Sequence, residues 1–405
     1  MKTAIIGGGA AGFFAAINLK ELCPEAEVCI YEQAPKVLAK VAVTGGGRCN
    51  LTNTFEEIKN IGDAYPRGAK LMKRLLKTFS HRDAYKWFEG HGVALTVQSD
   101  HCVFPASQDA HEIIKMFLYM CSRTGISIHS NHRVVHIDKQ EDTFELTFAS
   151  GKKVHADCVI VTTGSFSALR HGSMLDSLPL KIEPPVPSLF SINIKEDIGK
   201  LSGTVVENAS ARIPGTSFKA SGPLLVTHWG MSGPAVLKLT SYAARHLHEC
   251  GYTTPIAVNW CGEMNDEEIR ASLTELMKAN AGKNLSSVHL PSLPGRLWCR
   301  LLEARAIPSE RKCGDISKKE LNRLTDAIAN DSFTMTGKYR RKEEFVTCGG
   351  VSLASISPST LECRECPGLY LAGEALDIDG ITGGFNLQAA WTTGFTVAKA
   401  ISEEI

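Results

Sequence analysis

The sequence of 405 residues predicts an α/β protein with a Rossmann-like dinucleotide-binding domain. An apolar strand at the N-terminus leads directly into Gly7-x-Gly9-x-x-Gly12, and a helical stretch follows. A second strand ends in Glu32, 20 positions after the last glycine of this motif. Near the C-terminus another buried strand, residues 368–373, leads through a glycine-rich loop into a helix. These observations predict that both ends of the chain build one domain.

Each residue of the glycine motif has a mechanical role. Gly7 permits the tight turn from strand to helix, Gly9 lets the backbone approach a pyrophosphate, and Gly12 lets helix and strand pack closely. The helix N-terminus offers free N–H groups and a positive dipole to phosphates. Glu32 can accept hydrogen bonds from the hydroxyls of an adenosine ribose. The motif therefore predicts the ADP half of a dinucleotide site without naming the dinucleotide.

The remaining elements follow from apolar periodicity and turn residues. Residues 67–92 predict one helix because their apolar side chains recur at helical spacing, and residues 109–124 predict another. The last strand before the midpoint ends in Thr163-Gly164, and its continuous apolar run is typical of a buried parallel strand. Strands are predicted at 126–130, 133–138, 143–148 and 154–162, and a helix at 385–401.

The middle of the chain predicts an insertion into the first domain. Four prolines fall within residues 179–187, and short β-like runs follow at 188–194, 203–213, 223–228, 255–260 and 333–348. We therefore predict a Rossmann-like domain at 1–182 and 349–405, a β-barrel-like domain at 186–262 and 331–348, and a small helical subdomain at 263–330.

Composition limits the classes of partner. The net charge of +1 gives no electrostatic footprint for nucleic acid or an anionic membrane, and no basic stripe is visible. No run of 18 apolar residues predicts a membrane span, and the N-terminus is a strand and not a signal peptide. Thirteen scattered cysteines, an odd number, indicate reduced thiols in a cytoplasm. We expect a cytoplasmic monomer or homodimer without a metal ion, since His129, His132 and His136 lack ligand partners at suitable spacing.

The C-terminal loop narrows the choice of dinucleotide. A strand delivers Glu374, the chain turns on Gly383 and Gly384, and a helix begins. Such loops lie at the carboxyl edge of a doubly wound sheet, where ligands bind. A carboxylate there can bind a polyol, and a second helix N-terminus can stabilise negative charge on a ring. NAD needs no such second site, whereas the ribityl chain and ring of FAD do.

Four further motifs carry a family resemblance. They are Thr-Gly-Gly-Gly-Arg-Cys-Asn-Leu-Thr-Asn at 44–53, Thr-His-Trp-Gly-Met-Ser-Gly-Pro at 227–234, Thr-Cys-Gly-Gly-Val at 347–351 and the run from Gly373 to Ala390. With them the chain resembles flavoproteins of the two-dinucleotide-binding-fold class. More narrowly it resembles the YhiN/BaiN family of FAD-binding proteins, which includes aminoacetone oxidase-like members. The resemblance covers nearly the whole length and implies a Rossmann-like FAD-binding domain, an inserted β-barrel-like domain and a helical subdomain.

The resemblance also implies the residues that hold FAD, from the pyrophosphate through the ribityl chain to the pyrimidine edge of the ring. They are Gly7, Gly9, Ala10, Ala11, Gly12, Glu32, Gln33, Lys40, Thr44, Gly45, Gly46, Gly47, Arg48, Cys49, Asn50, Val134, Val135, Thr163, Gly164, Gly373, Glu374, Gly384, Phe385, Asn386 and Leu387. The chain departs from the family in one place. After Gly164 the family continues with a second glycine and a Gly-Asp-Gly segment. In this chain the corresponding loop, residues 165–176, is shorter and has a different sequence.

Two residues are candidates for catalysis. His228 could act as an acid, a base or a substrate anchor, or it could satisfy loop backbone groups. Arg48 could bind a substrate carboxylate or stabilise anionic reduced flavin, or it could pair with the pyrophosphate or structurally. Cys49 is expected to pack, because it has no resolving cysteine nearby in sequence.

The sequence predicts an FAD-dependent oxidoreductase that acts on a small molecule. No second Gly-x-Gly-x-x-Gly is present, so NAD(P)H would bind transiently over the flavin. Reduction of an activated, enone-type C=C bond by NAD(P)H is the preferred reaction. The alternatives are amine oxidation with oxygen, and a flavin-binding redox sensor without rapid turnover, which the shortened loop after Gly164 would favour.

Overall fold

A computed structural model of the chain describes residues 1–165, 174–339 and 346–404. The described residues form two compact units, which we call unit 1 (Met1–Val186 and Lys342–Ile405) and unit 2 (Pro187–Arg341). The predicted fold class is confirmed: unit 1 contains a Rossmann-type parallel sheet with helices, and unit 2 contains a closed barrel with helices.

Residues 1–165 hold most of unit 1. Their elements are β1 (Lys2–Ile6), α1 (Ala10–Leu22), β2 (Glu27–Tyr31), α2 (Ala39–Gly47), β3 (Thr52–Asn53), α3 (Ile61–Ala64), α4 (Ala69–Leu75), α5 (His81–Gly90), β4 (Leu95–Val97), β5 (Cys102–Pro105), α6 (Ala110–Thr124), β6 (Ser127–His129), β7 (Val134–Lys139), β8 (Phe144–Phe148), β9 (Lys153–Ala156) and β10 (Cys158–Val161).

The rest of the described chain runs through unit 2 and returns to unit 1. Its elements are β11 (Ile182–Ser188), β12 (Ile192–Ile194), β13 (Val205–Arg212), β14 (Lys219–Val226), β15 (Gly230–Ser232), α7 (Pro234–Tyr242), α8 (Ala244–Glu249), β16 (Thr254–Asn259), α9 (Asp266–Ala279), α10 (Gly295–Ala304), α11 (Lys318–Ala329), β17 (Asp331–Lys338), β18 (Val346–Val351), β19 (Leu369–Leu371) and α12 (Phe385–Ser402).

The central sheet of unit 1 is parallel in the order β19-β10-β1-β2-β6. All four residues of β10 are buried, as its unbroken apolar sequence predicted. The strand order reverses direction at β1, which has β2 on one side and β10 on the other. In open α/β sheets this reversal point is where ligands bind, outside the carboxyl ends of the strands.

Helices α1 and α12 pack together on the sheet over an aromatic core. Phe14 of α1 contacts Trp391 of α12 with ring centroids 5.2 Å apart, and Phe88 and Phe117 complete the cluster from α5 and α6. Gly394 permits the close approach, because a Cβ there would lie 2.9 Å from the carbonyl oxygen of Ala11. The two helices that begin at the glycine-rich loops are therefore fixed to one core.

The single helix predicted over residues 67–92 is wrong, since the structure has two helices there. Helix α4 ends at Leu75, and α5 starts after Ser80. Ser80 accepts the N–H of Asp83 at 3.3 Å, and the Asp83 carboxylate accepts the N–H of Ser80 at 2.8 Å. This capping box starts a new helix in the middle of an apolar pattern that runs through the break.

Unit 2 contains a closed barrel in the order β12-β15-β14-β13-β16-β17, with helices α9, α10 and α11 in the segment between β16 and β17. The predicted β-like run at 333–348 covers most of β17, which belongs to the barrel, and the start of β18, which pairs with β11 in a two-stranded sheet.

In the described residues no helix is both long and apolar enough to cross a membrane. A group of three or more His, Cys, Asp or Glu side chains suited to a metal ion is also absent from the part of the chain that the structure describes.

Candidate cofactor site

Four neighbouring strands of the parallel sheet end in residues that the sequence assigned to the cofactor. Gly7 follows β1, Glu32 follows β2, Thr163 lies just after β10, and Gly373 lies just after β19. Because parallel strands present their carboxyl ends at one edge, these residues lie along the same edge of the sheet. The structure therefore brings together the start, the middle and the end of the predicted site.

The three glycines of the first loop differ in what surrounds them. A Cβ on Gly7, whose φ is +114°, would lie 2.4 Å from the Thr162 carbonyl oxygen, and one on Gly12 would lie 2.2 Å from the Gly7 oxygen. By contrast, no heavy atom of the described residues lies within 4 Å of a Cβ placed on Gly9. Gly7 and Gly12 thus serve the packing of the protein itself, and Gly9 borders open space. That space is the cradle that a pyrophosphate requires.

The N-terminus of α1 faces this space without a cap of its own. Gly9 is the N-cap residue and supplies no side chain, so Ala10 and Ala11 begin the helix with unsatisfied N–H groups. The first turn also lacks an acidic residue that would neutralise the helix dipole. An anionic group of the ligand is the partner that this helix end lacks.

Glu32 is held in place by the backbone around it. Its carboxylate accepts the N–H of Gly8 at 2.8 Å and the N–H of Ala34 at 2.7 Å. Each carboxylate oxygen keeps a further acceptor position, which can receive a ribose hydroxyl. Glu32 is half-buried, whereas the neighbouring Gln33 is exposed.

A second group of polar side chains meets beside the ends of β10 and β19. Lys40 Nζ lies 3.1 Å from Glu374 Oε2, and Glu374 Oε1 accepts the N–H of Thr347 at 2.9 Å. A Cβ placed on Gly164 would lie 3.5 Å from Glu374 Oε2 and 3.8 Å from Lys40 Nζ. Lys40 is 64% exposed and Glu374 is 23% exposed, so both remain accessible to a ligand. Glu374, the predicted ribityl contact, therefore lies close to Lys40 and Gly164, which were predicted to line the same cofactor.

The side chain of Thr163 is a further candidate contact for a ligand. Its hydroxyl oxygen is buried and has no hydrogen-bond partner among the described residues. An unpartnered buried hydroxyl is costly, so a polar ligand atom is the natural acceptor or donor for it. Its position after β10 is where the family resemblance implied the ADP half.

Arg48 and its glycine-rich loop form the rim of the site. Within α2 the backbone leaves the helical region at Thr44 and has positive φ at Gly45 and Gly46, and open space borders Gly46. The Arg48 guanidinium stacks over Phe104 at 4.4 Å and donates to the carbonyl oxygen of Gly45 at 3.1 Å. Arg48 is thus held at the surface by structural contacts, and its catalytic role stays a prediction.

Cys49 is a packing residue in this arrangement. Its side chain is fully buried, and burial raises the pKa of its thiol to about 12 against a hydrogen bond with Thr44 that lowers it. A thiol that stays protonated is a poor nucleophile. The next residue, Asn50, accepts the N–H of Gly384 at 3.2 Å and donates to the Thr52 oxygen at 3.0 Å in the orientation that satisfies its amide.

The glycine-rich loop before α12 is tied down at several points. The side-chain amide of Asn386 accepts the N–H of Gly380 at 2.8 Å and donates to the Gly380 carbonyl oxygen at 2.8 Å. The Tyr65 hydroxyl donates to the carbonyl oxygen of Phe385 at 2.9 Å. The first-turn N–H groups of Phe385, Asn386 and Leu387 have no acceptor within the helix. They are presented by a loop that the protein holds rigidly.

Sequence reasoning missed the strongest of these ties, an ion pair between Arg67 and Asp379. The guanidinium binds both carboxylate oxygens, with Nε 2.5 Å from Oδ1, and the two side chains are 13% and 0% exposed. The N–H of Ile381 also donates to the carbonyl oxygen of Ala64 at 2.9 Å. Arg67 belongs to no motif, and its partner lies 312 positions away, so no local signal could reveal the pair.

The remaining predicted residues lie in different surroundings. Val134 is buried at the start of β7, and Val135 lies at a register shift of that strand. His228 lies in unit 2 on an exposed turn, in which the Thr227 hydroxyl accepts the N–H of Gly230 at 3.0 Å. The adenine contact of the valines and the catalytic role of His228 stay predictions. Of the shortened segment after Gly164, residues 166–173 lie outside the described residues.

The residues of unit 1 fit FAD. An uncapped helix end borders open space at Gly9, and Lys40 and Glu374 form an ion pair near Gly164. Between them the buried Thr163 hydroxyl has no hydrogen-bond partner in the part of the chain that the structure describes. These groups supply, in order, partners for a diphosphate, a polar linker and a polyol chain. The rigid N-terminus of α12 adds a second place for negative charge.

The chain is similar to known proteins over nearly its whole length. A family model described as HI0933-like protein Rossmann domain matches residues 1–400. The chain is 29% identical to the 3-dehydro-bile acid delta(4,6)-reductase of Clostridium scindens, over 99% of both proteins. It is also 29% identical to the ribosomal RNA dihydrouridine synthase of Escherichia coli, over 98% of this chain and 96% of that one. A solved Escherichia coli quinol fumarate reductase FrdA variant shares the fold, with a TM-score of 0.50 and 13% identity over 100% of this chain and 70% of that chain.

Proposed function

The chain belongs to the HI0933-like family and is an FAD-dependent oxidoreductase, and we propose that it reduces a carbon–carbon double bond conjugated to a carbonyl group, with NAD(P)H as the reductant. The proposal is carried by what the names of two relatives have in common. One acts on a delta(4,6) double bond in a 3-dehydro bile acid, and the other produces dihydrouridine. The double bond in each case is conjugated to a carbonyl. Two relatives of equal identity over nearly the whole chain thus support one reaction class.

When bound, FAD would supply the redox chemistry, because a flavin can accept a hydride from one molecule and deliver it to another. The protein supplies position and charge. Gly9 and the N-terminus of α1 would hold the diphosphate, Glu32 the ribose, and Glu374 with Lys40 the ribityl chain. The first-turn N–H groups of α12 would favour negative charge at the pyrimidine edge.

Reduction of a conjugated double bond also needs a proton. Hydride adds to the carbon remote from the carbonyl, and a general acid protonates the carbon next to it. We propose His228 for this role, as the sequence suggested. Within unit 2 its imidazole is exposed, on a turn that Thr227 and Gly230 fix by hydrogen bonds. Replacing His228 by Gln should slow oxidation of the reduced protein by the unsaturated substrate and leave its reduction by NAD(P)H unchanged.

A small enone is the first candidate substrate, as the sequence predicted. A uridine within ribosomal RNA is the second, and a specific observation favours it. The Escherichia coli relative, and the one from Haemophilus influenzae at 26% identity over 99% of this chain, are both named ribosomal RNA dihydrouridine synthases. The two candidates require the same bond chemistry and differ in how the substrate is held.

An anaerobic reduction screen tests the proposed function. The FAD-loaded protein is mixed with NADPH, NADH and a panel of primary amines, and bleaching of the flavin band is followed. Bleaching by a pyridine nucleotide, and return of the colour on adding 2-cyclohexenone or a uridine-containing RNA, supports the proposal. Bleaching by an amine with peroxide formed in air would establish amine oxidation instead. No bleaching by either donor class would overturn the proposal in favour of a slow redox sensor.

A further inference from the structure

Unit 1 carries a local excess of positive charge that the total charge of the chain conceals. Residues 65–88 contain seven Lys or Arg and one Asp, although the whole chain has a net charge of only +1. Of the seven cations, Arg67 is used internally by Asp379. The other six, Lys70, Lys73, Arg74, Lys77, Arg82 and Lys86, are exposed.

Four of these cations form one face of a helix. Lys70, Lys73, Arg74 and Lys77 are spaced at i, i+3, i+4 and i+7, which places them on the same side of α4 and the turn that continues it. We call this group the α4 basic face. The opposite side of α4 is buried through Leu71, Met72 and Leu75. The chain thus keeps its apolar residues for the core and places only cations outward.

These cations are not neutralised by the protein. Among the described residues, none of the four forms an ion pair with a carboxylate, although the chain has almost equal numbers of acidic and basic residues. The single acid of the segment, Asp83, is bound to Ser80 in the capping box of α5. Four like charges within two helical turns repel one another, so the face is stabilised when an anionic partner supplies the missing charge.

The α4 basic face adjoins the loop that presents α12. Gly68, two residues before Lys70, packs against Ile378, where a Cβ would lie 2.7 Å from the Ile378 side chain. Beyond the other end of the face, the Thr392 hydroxyl of α12 donates to the carbonyl oxygen of Phe79 at 2.9 Å. Residues 68–79 therefore contact the loop before α12 at one end and α12 itself at the other, and this loop and helix are predicted to border the flavin ring.

We propose that the α4 basic face binds the phosphate backbone of RNA and thereby directs a uridine to the candidate site. The proposal rests on the second substrate class given above. The surface that would bind this RNA is a row of cations at helical spacing, which suits successive phosphates and lies next to the loop of the proposed site. The proposal also departs from the sequence-based expectation of no nucleic-acid partner. That expectation was drawn from total charge and from the absence of a visible basic stripe, and it did not take account of the row of cations at residues 70–77.

Salt-dependent RNA binding tests the proposal. A fluorescent RNA hairpin with uridines in its loop is titrated with FAD-loaded protein over a range of salt concentrations, and deproteinised ribosomal RNA serves as competitor. The test variant carries Lys70→Gln, Lys73→Gln, Arg74→Gln and Lys77→Gln. The matched control carries Lys278→Gln, Lys318→Gln, Lys319→Gln and Arg323→Gln, which remove the same charges from exposed positions of unit 2. A charge-retaining variant replaces Lys70, Lys73 and Lys77 by Arg.

The expected result is a loss of affinity of roughly tenfold or more in the test variant at 0.1 M salt, with a log–log salt slope that is shallower by about 3, since each phosphate contact contributes about 0.7 to 0.9. The control and the charge-retaining variants should bind as the wild type does. Equal binding by test variant and wild type would overturn the proposal, as would binding to vesicles of anionic phosphatidylglycerol without binding to RNA. Flavin content and thermal midpoint, measured on every variant, verify that the fold is retained.

The same samples separate this proposal from the proposed function. If RNA binding is absent but NADPH still bleaches the flavin and cyclohexenone restores it, only the RNA proposal fails. If RNA binds through the α4 basic face but no unsaturated substrate restores the colour, the proposed reaction fails.

Discussion

The substitution Gly9→Ala gives the sharpest test of the candidate site. In the structure a Cβ at this position meets no heavy atom of the described residues within 4 Å. The backbone of Gly9 has φ of −97° and ψ of −168°, an extended conformation that alanine adopts without strain. The folded protein without FAD should therefore accept the methyl group. The loss should appear only when a pyrophosphate needs the same space.

The magnitude follows from the contacts at stake. A hydrogen bond from a backbone N–H to a charged phosphate oxygen contributes about 1.5 to 3 kcal/mol, and the added methyl would displace at least one such bond. A loss of about 3 kcal/mol corresponds to a rise in the Kd for FAD of roughly a hundredfold. The free energy of unfolding of the apoprotein should change by less than about 1 kcal/mol, because alanine also restricts the unfolded chain.

Two further variants complete the comparison. Gly12→Ala should destabilise the apoprotein itself, because its Cβ would lie 2.2 Å from the Gly7 carbonyl oxygen. Gly90→Ala should leave FAD binding unchanged and should not destabilise the apoprotein, since that glycine is exposed and a Cβ there meets no heavy atom of the described residues within 4 Å. FAD binding is measured by flavin fluorescence titration, and stability by denaturant unfolding of the apoprotein. A Gly9→Ala protein with the wild-type Kd for FAD would refute the placement of the pyrophosphate.

Three further outcomes follow from buried or paired groups. Arg67→Met should lower the free energy of unfolding by about 3 to 5 kcal/mol, because it leaves the buried Asp379 carboxylate without its cation. Adding Asp379→Leu should restore part of that loss, and denaturant titrations would measure both variants. Cys49 should resist alkylation in the native protein at pH 8, because a pKa of about 12 leaves only roughly one thiol in ten thousand ionised. In the unfolded protein Cys49 should react fully, and peptide mass spectrometry would measure both results. Burial alone would lower the pKa of His91, but the Glu21 carboxylate 2.8 Å from Nε2 raises it above the ordinary value. The His91–Glu21 pair therefore stabilises the fold below pH about 6.5, and this stabilisation is lost as the pH rises through the pKa of His91 in the folded protein. Glu21→Gln should remove this pH dependence, which amounts to less than about 1 kcal/mol in the free energy of unfolding measured between pH 5 and 8.

Much of the fold could be predicted because its signals are local. The turn at Gly7, the strand before Thr163 and the helix after Gly384 are each encoded by neighbouring residues, so their types could be predicted from sequence. Parallel pairing then placed Gly7 and Thr163 at one edge of the sheet, since the glycine motif and the buried strand share that architecture.

What sequence could not predict depends on contacts between distant residues. The Arg67–Asp379 pair joins positions 312 apart, and neither residue belongs to a recognisable motif. Glu374 was assigned to a polyol from its place after a strand, but its bonds with Lys40 and Thr347 become visible only in the folded chain. The break between α4 and α5 was missed because apolar periodicity continues through it.

The α4 basic face illustrates a different limit. Total charge averages over the whole surface, so a near-neutral chain can still concentrate cations on one side of a short helix. The spacing of Lys70, Lys73, Arg74 and Lys77 is readable in the sequence, but it gains meaning only when α4 is known to bury its other side and to adjoin the loop before α12.

The central claim is that this chain passes electrons from NAD(P)H through FAD to a conjugated double bond. An anaerobic single-turnover experiment tests it most directly. The FAD-loaded protein is reduced by one equivalent of NADPH and then mixed with cyclohexenone or the uridine-containing RNA, and the product is analysed by mass spectrometry. Our account predicts that the flavin colour returns without oxygen and that the product gains two hydrogen atoms. A flavin that regains its colour only when oxygen is admitted, with both unsaturated compounds recovered unchanged, would contradict it.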